Sequence, residues 1–113
     1  MEAKEAGWLL RAFGDGTRLR IIALLTHRPH RVSELARALR RPMPAVTRHL
    51  RYLHARGLVE WQTVDGGVLY RLTPSGNPLK EAVLAALQRR LDLLDEVPRD
   101  RARATTQRPS RGR

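Results

Sequence analysis

RPMPAVTRHLRYLHARGLVEW, residues 41–61, sets Arg48, Arg51 and Arg56 on one short amphipathic segment between two prolines and a glycine. At 100° per residue, Val46, Leu50 and Leu53 fall on one side of a helix over residues 44–56 and face a core. Pro44, Arg48, Arg51 and Ala55 fall opposite, with Thr47 and Tyr52 flanking them. Proline is tolerated in a first helical turn, where its missing N–H would have no partner, so Pro42 and Pro44 mark the start. Gly57 suits the residue just past the end. The outward stripe therefore carries small side chains, a hydroxyl and two guanidinium groups, a set that fits a major groove about 12 Å wide. Arg48 can reach a guanine edge or a phosphate, and Thr47 a base edge, a phosphate or a thymine methyl. Arg51, one turn later, is better placed for the backbone. His49 lies nearer the core side, so a half-buried imidazole bonded to a backbone group is expected there, and the same for His54.

Charge is concentrated around this stretch. Residues 28–56 hold eight arginines and one glutamate, a net of +7, in a chain of 113 residues with 22 Lys+Arg against 11 Asp+Glu. Such an excess on one segment implies a polyanionic partner, double-stranded DNA above all. Cysteine is absent, which excludes disulfides, thiolate redox sensing and cysteine-ligated metals. No apolar run approaches the roughly 20 residues that span a bilayer, and the acidic MEAKEAGW start is unlike a signal peptide. A cytoplasmic protein with no membrane partner is expected.

Reading outward, residues 3–13 form a helix with Ala6, Leu9, Leu10 and Phe13 on one side. Asp15 caps a largely buried second helix over residues 17–27, ended by Pro29. Ser33-Glu34 begins a third, with Leu35, Ala36 and Leu39 inward. After the fourth helix, residues 58–64 and 67–73 alternate like strands around Asp65-Gly66, a strong hairpin signal. Asn77-Pro78 opens a last helix over residues 79–97, stopped by Pro98. The fold class is mainly α with a small β-hairpin wing, in the order α-α-α-α-β-β-α. Residues 1–97 are expected to form one domain. Residues 98–113, with six arginines against one aspartate, are expected to be a disordered basic C-terminal tail.

FGDGTRLRIIALL, VSELARAL, PAVTRHLRYLHARGLVEW and GGVLYRLT together resemble the ArsR/SmtB group of winged helix-turn-helix repressors, over about residues 6–95. The resemblance implies a homodimer built on the first and last helices, operator binding, and release by an inducer. It matches Thr47 and Arg48 to positions that contact bases or phosphates, and His49 to a nearby histidine. The chain departs from the pattern at Arg41, Pro42 and Met43, where apolar, capping and polar reading residues are usual, and at Gly16, where proline is usual. Fewer direct base contacts and more reliance on phosphate and DNA shape follow. The expected DNA-binding set is Arg41, Pro44, Thr47, Arg48, His49 and Arg51. In the wing, the Gly66 and Gly67 N–H groups can approach the backbone, and Arg71 serves structure or a peripheral phosphate. The tip itself has no Lys or Arg, and Asp65 would be repelled.

Trp8, Leu9 and Leu10 in the first helix, with Leu79, Val83, Leu87, Leu91 and Leu94 in the last, give more apolar surface than a domain this small can bury alone, so a homodimer is expected. Neither a metal nor a cofactor is expected. The last helix has Asp92, Asp95 and Glu96 but no histidine, and His27 and His30 are a lone pair beside arginines. No Ser/His/Asp set or phosphate-cradling loop suggests an enzyme. Left open are a repressor answering a non-thiolate signal, a metal-responsive repressor using His and carboxylates, and a winged-helix module acting through protein or RNA.

Overall fold

The computed structural model describes residues 1–74 and 76–106. Helix α1 (Ala3–Ala12) opens with the Glu5 carboxylate accepting the Glu2 N–H at 3.1 Å. It buries Leu9 and Ala12, while Leu10, grouped with Leu9 on one side and among the residues expected to pair two copies, is 46% exposed. Helix α2 (Gly16–His27) starts at Asp15, whose side chain accepts the Arg18 N–H at 3.0 Å. Residues 21–25 of α2 are all buried, so this helix is enclosed by its neighbours rather than laid on them. Helix α3 (Val32–Leu39) begins where Glu34 accepts the Arg31 N–H at 2.9 Å. It ends on Arg40 in the left-handed region, φ 56°, with the Arg41 N–H reaching back to the Ala36 carbonyl at 3.0 Å.

Helix α4 (Met43–Ala55) follows Pro42 directly. Gly57, at φ +75°, ends it: the Gly57 N–H donates to the His54 carbonyl and the Leu58 N–H to the Leu53 carbonyl, both at 2.9 Å. Strands β1 (Val59–Val64) and β2 (Gly67–Leu72) pair antiparallel, with Val64 opposite Gly67. Asp65 and Gly66 both take positive φ, as a two-residue turn between twisted strands requires. His30 adds a one-residue edge to this hairpin by exchanging backbone hydrogen bonds with Tyr70 at 3.0 and 2.8 Å. Helix α5 (Pro78–Arg89) is capped by Asn77, whose side chain accepts the Leu79 and Lys80 N–H groups at 2.9 and 3.1 Å.

Two expectations about the C-terminal part need correcting. The last helix does not run to residue 97. Helix α5 stops at Arg89, a one-turn 3-10 helix occupies Leu91–Leu93, and a further helix, α6, spans Val97–Thr106. Pro98, read as a stop, lies in the first turn of α6, where its missing N–H costs nothing. Nor are residues 98–106 a disordered tail. Asp100, 0% exposed, accepts hydrogen bonds from Arg20 at 2.8 Å on each oxygen and from Arg103 at 2.9 Å. Arg103 also donates to the Ala38 carbonyl, and Arg20 to the Leu39 carbonyl at 3.2 Å. Val97 and Ala104 are buried on the same side. These contacts clamp α6 across α2 and the end of α3. The rest of the expected tail, residues 107–113, lies outside the described residues. No helix among the described residues is long and apolar enough to cross a membrane.

Candidate nucleic-acid interface

Helix α4 is anchored by Val46, Leu50 and Leu53, each 0% exposed. Opposite them Met43, Pro44, Arg48 and Arg51 are exposed, with Thr47 half-buried, and these five residues line one shallow concavity. The anchor spacing dictates this: burying one stripe of a helix turns the residues half a turn away to water. Neither Arg48 nor Arg51 forms an ion pair among the described residues, so both cations are available to a ligand. Arg41 is exposed in the turn before α4 and donates to the Arg40 carbonyl at 3.3 Å.

His49 is half-buried as expected, but its neighbours are side chains, not a backbone group. Its Nδ1 lies 3.5 Å from Arg18 Nη1, and its Nε2 lies 4.0 Å from Asp15. Burial lowers its pKa; Asp15 opposes the shift, and Arg18 and Arg48 add to it. Asp15 in turn is held below the usual carboxylate range, first by the Arg18 backbone N–H. His54 differs from expectation: it is exposed, its ring 4.3 Å from Trp61 and nearly edge-on.

In the wing, Gly66 is exposed and Gly67 half-buried. Arg71 is committed within the hairpin, its Nε and Nη2 at 2.7 and 2.6 Å from the Glu60 carboxylate directly across the strand pair. Of the apolar residues expected to pair two copies, Trp8 and Leu10 are exposed, whereas Leu9 belongs to the subunit's own core. Leu79, Val83 and Leu87 are half-buried against that core. Leu91 and Leu94 are half-buried beyond the end of α5, and Leu93, 65% exposed, joins the apolar surface there. His27 is exposed while His30 is 1% exposed in the core, so the two do not share one open site. No group of three or more His, Cys, Asp or Glu among the described residues could hold a metal ion.

A stack behind α4 was not foreseen. The Arg18 guanidinium lies 4.3 Å above the Tyr52 ring, and Arg56 sits 5.1 Å from Tyr52 and 5.5 Å from Trp8. Arg18 also donates to the Ala12 and Arg11 carbonyls at 2.9 Å each. Alternating cations and rings thus join α1 to α4. Tyr52 and Arg56 are one helical turn apart, but only the assembled fold brings Trp8 of α1 and Arg18 of α2 to them.

Three helices, a tight turn into an outward cationic helix and a two-stranded wing define a winged helix-turn-helix DNA-binding transcriptional regulator. Residues 15–60 match the family described as bacterial regulatory protein, arsR family. The chain is 41% identical over 81 residues to the HTH-type transcriptional regulator Rv2034 of Mycobacterium tuberculosis, covering 72% of this chain and 69% of that one. It is 42% identical over 67 residues to the HTH-type transcriptional repressor SmtB of the same species, covering 59% of this chain and only half of that protein's length. The fold is similar to the solution structure of the homodimeric winged helix-turn-helix DNA-binding domain of Mb0332 from Mycobacterium bovis, a possible ArsR-family regulator. That likeness has a TM-score of 0.66 at 24% identity and covers 79% of this chain and 80% of the other. The chain belongs to the arsR family of bacterial regulatory proteins.

Proposed function

We propose that this regulator is a homodimeric, sequence-specific repressor that reads an operator through the outward face of α4. The observation that carries the reading is that face itself, where Arg48 and Arg51 stand without an ion pair among the described residues, beside Thr47, Pro44 and Met43. Arg48 and Thr47 reach base edges, while Arg51 and Arg41 hold phosphates. Met43 and Pro44 offer apolar contact to thymine methyls. His49 acts from behind, setting the helix against Arg18 and Asp15 rather than touching a base. The Gly66 and Gly67 backbone approaches the sugar-phosphate chain. Arg71, neutralised by Glu60, stiffens the wing.

Pairing of two copies is supported by the exposed Trp8, Leu10 and Leu93, with Leu79, Val83, Leu87, Leu91 and Leu94 half-buried around them. Two α4 helices then meet successive major grooves about 34 Å apart. Repression is supported by the SmtB relative, and the signal that releases it is one that needs no thiolate, since the chain has no cysteine.

Selection of bound fragments from the source genome tests this. A two-fold symmetric site is expected, together with a sedimenting species of twice the 12.9 kDa chain mass. Fragments without a shared motif would end the sequence-specific reading, and a monomer at micromolar concentration would end the dimeric one.

A further inference from the structure

The wing presents an electrostatic problem. Its hairpin carries Asp65 at the turn, and its arginine, Arg71, is bonded to Glu60. By itself it offers a phosphate chain no free cation. Arg31 lies between His30, whose backbone is tied to Tyr70 of β2, and Val32, the first residue of α3. That bridge fixes the Arg31 backbone alongside β2, and the side chain extends along the strand to its first residue. A Cβ added at Gly67 would run into Arg31 Nη1 and lie 2.8 Å from Cζ. Gly67 is not among the positive-φ residues, so what its missing side chain leaves room for is the guanidinium resting against it. Arg28, in the same connection, lies 3.8 Å from Glu34 and donates to the Pro29 carbonyl. No ion pair engages Arg31 among the described residues.

We propose that Arg31 is the wing's phosphate contact, a cation lent to the hairpin by the α2–α3 connection and seated at its tip through the missing side chain of Gly67. The ligand is a backbone phosphate of the duplex that α4 reads, so the inference rests on the DNA reading of α4. The contact is independent of base sequence, because a guanidinium on a phosphate carries no sequence information. It also offsets the repulsion of Asp65, which the hairpin's own residues leave uncompensated.

The test is binding of a selected operator duplex and a random duplex by the full chain, from about 50 to about 200 mM salt. Arg31→Ala is expected to lower the slope of log affinity against log salt by about 1, alike on both duplexes. Arg31→Lys keeps the slope, since the charge remains. Gly67→Ala displaces the guanidinium and lowers the slope as Arg31→Ala does, and the double variant is no worse than either. An unchanged slope for Arg31→Ala, beside weakened operator binding by Arg48→Ala, overturns the assignment while leaving the α4 reading standing. If neither variant alters binding, the DNA reading fails and this inference with it. Thermal melts of each variant separate a lost contact from a lost fold: Arg31→Ala that binds weakly only because it is unfolded at the assay temperature counts against the assignment.

Discussion

Helices α4 and α6 are both rich in arginine, yet they use it in opposite ways. On α4 the arginines look outward and no acid among the described residues answers them; on α6 Arg103 bends inward to Asp100, which Arg20 grips from the other side. The difference lies in one acidic residue at the right register. Val97, Asp100 and Ala104 fall three and four residues apart on one face of α6, so burying that face draws the aspartate in, and two guanidinium groups follow to neutralise it. The hydrogen bond to Asp100 raises the pKa of Arg20 above its ordinary value. Helix α4 has no acid in its length, and its buried face holds only aliphatic side chains. A local excess of arginine therefore says nothing of its destination until the position of the counter-charge is known.

The sharpest way to break this contrast is to remove the counter-charge. Asp100→Ala leaves Arg20 and Arg103 converging on an empty, mostly buried position, and a loss of about 3 kcal/mol of stability is expected. Urea denaturation followed by circular dichroism measures it. A midpoint unchanged from the parent would mean that α6 is not anchored through this cluster. Replacing Arg103 with alanine should cost less, because Arg20 still pairs with Asp100.

On α4 the outcome should invert. Arg48→Ala removes an exposed side chain with no ion pair among the described residues, so the melting temperature should hold while specific DNA binding weakens by about 2 kcal/mol. Arg51→Ala should weaken operator and random duplex alike and flatten the salt dependence by about one phosphate's worth. Equal losses on operator and random DNA for Arg48→Ala would count against base reading, and loss of stability would show that its side chain is part of the fold.

Most of the DNA-facing half was legible in the residues alone. The caps at Asp15 and Asn77, the glycine closing α4, the Asp65-Gly66 turn and the split between Val46, Leu50, Leu53 and Arg48, Arg51 all follow from short-range rules that the fold obeys. What was not legible depends on contacts between distant residues. Arg20 and Asp100 are 80 positions apart, so the charge of residues 99–113 was read as solvated when part of it is internal. The stack of Arg18 on Tyr52 and Arg56 on Trp8, and the placing of Arg31 against Gly67, belong to the same class. Leu9 shows the converse limit: it was grouped with Trp8 and Leu10 as surface for pairing two copies, but α1 packs along Leu9, Ala12 and Phe13 and draws it into the subunit's own core.

The smallest expected effect concerns how α3 and α4 end. Both finish on a left-handed residue, but Gly57 follows α4 and Arg40 follows α3. A left-handed non-glycine residue costs about 1–2 kcal/mol, because its Cβ crowds the following carbonyl. Arg40→Gly removes that crowding and adds about 0.5–1 kcal/mol of unfolded-state entropy in return. A net gain of about 0.5 kcal/mol is therefore expected, read as a slightly higher urea midpoint. Gly57→Ala should do the opposite and cost about 1 kcal/mol. The pair of substitutions isolates backbone strain, since Arg40 is exposed and a Cβ at Gly57 meets nothing within 4 Å. If Arg40→Gly lowers stability, the arginine side chain contributes more to the fold than its backbone costs. If it raises stability yet weakens DNA binding at low salt, the turn keeps a strained residue for the sake of its charge, and the cationic surface of α4 begins one turn earlier than the helix does.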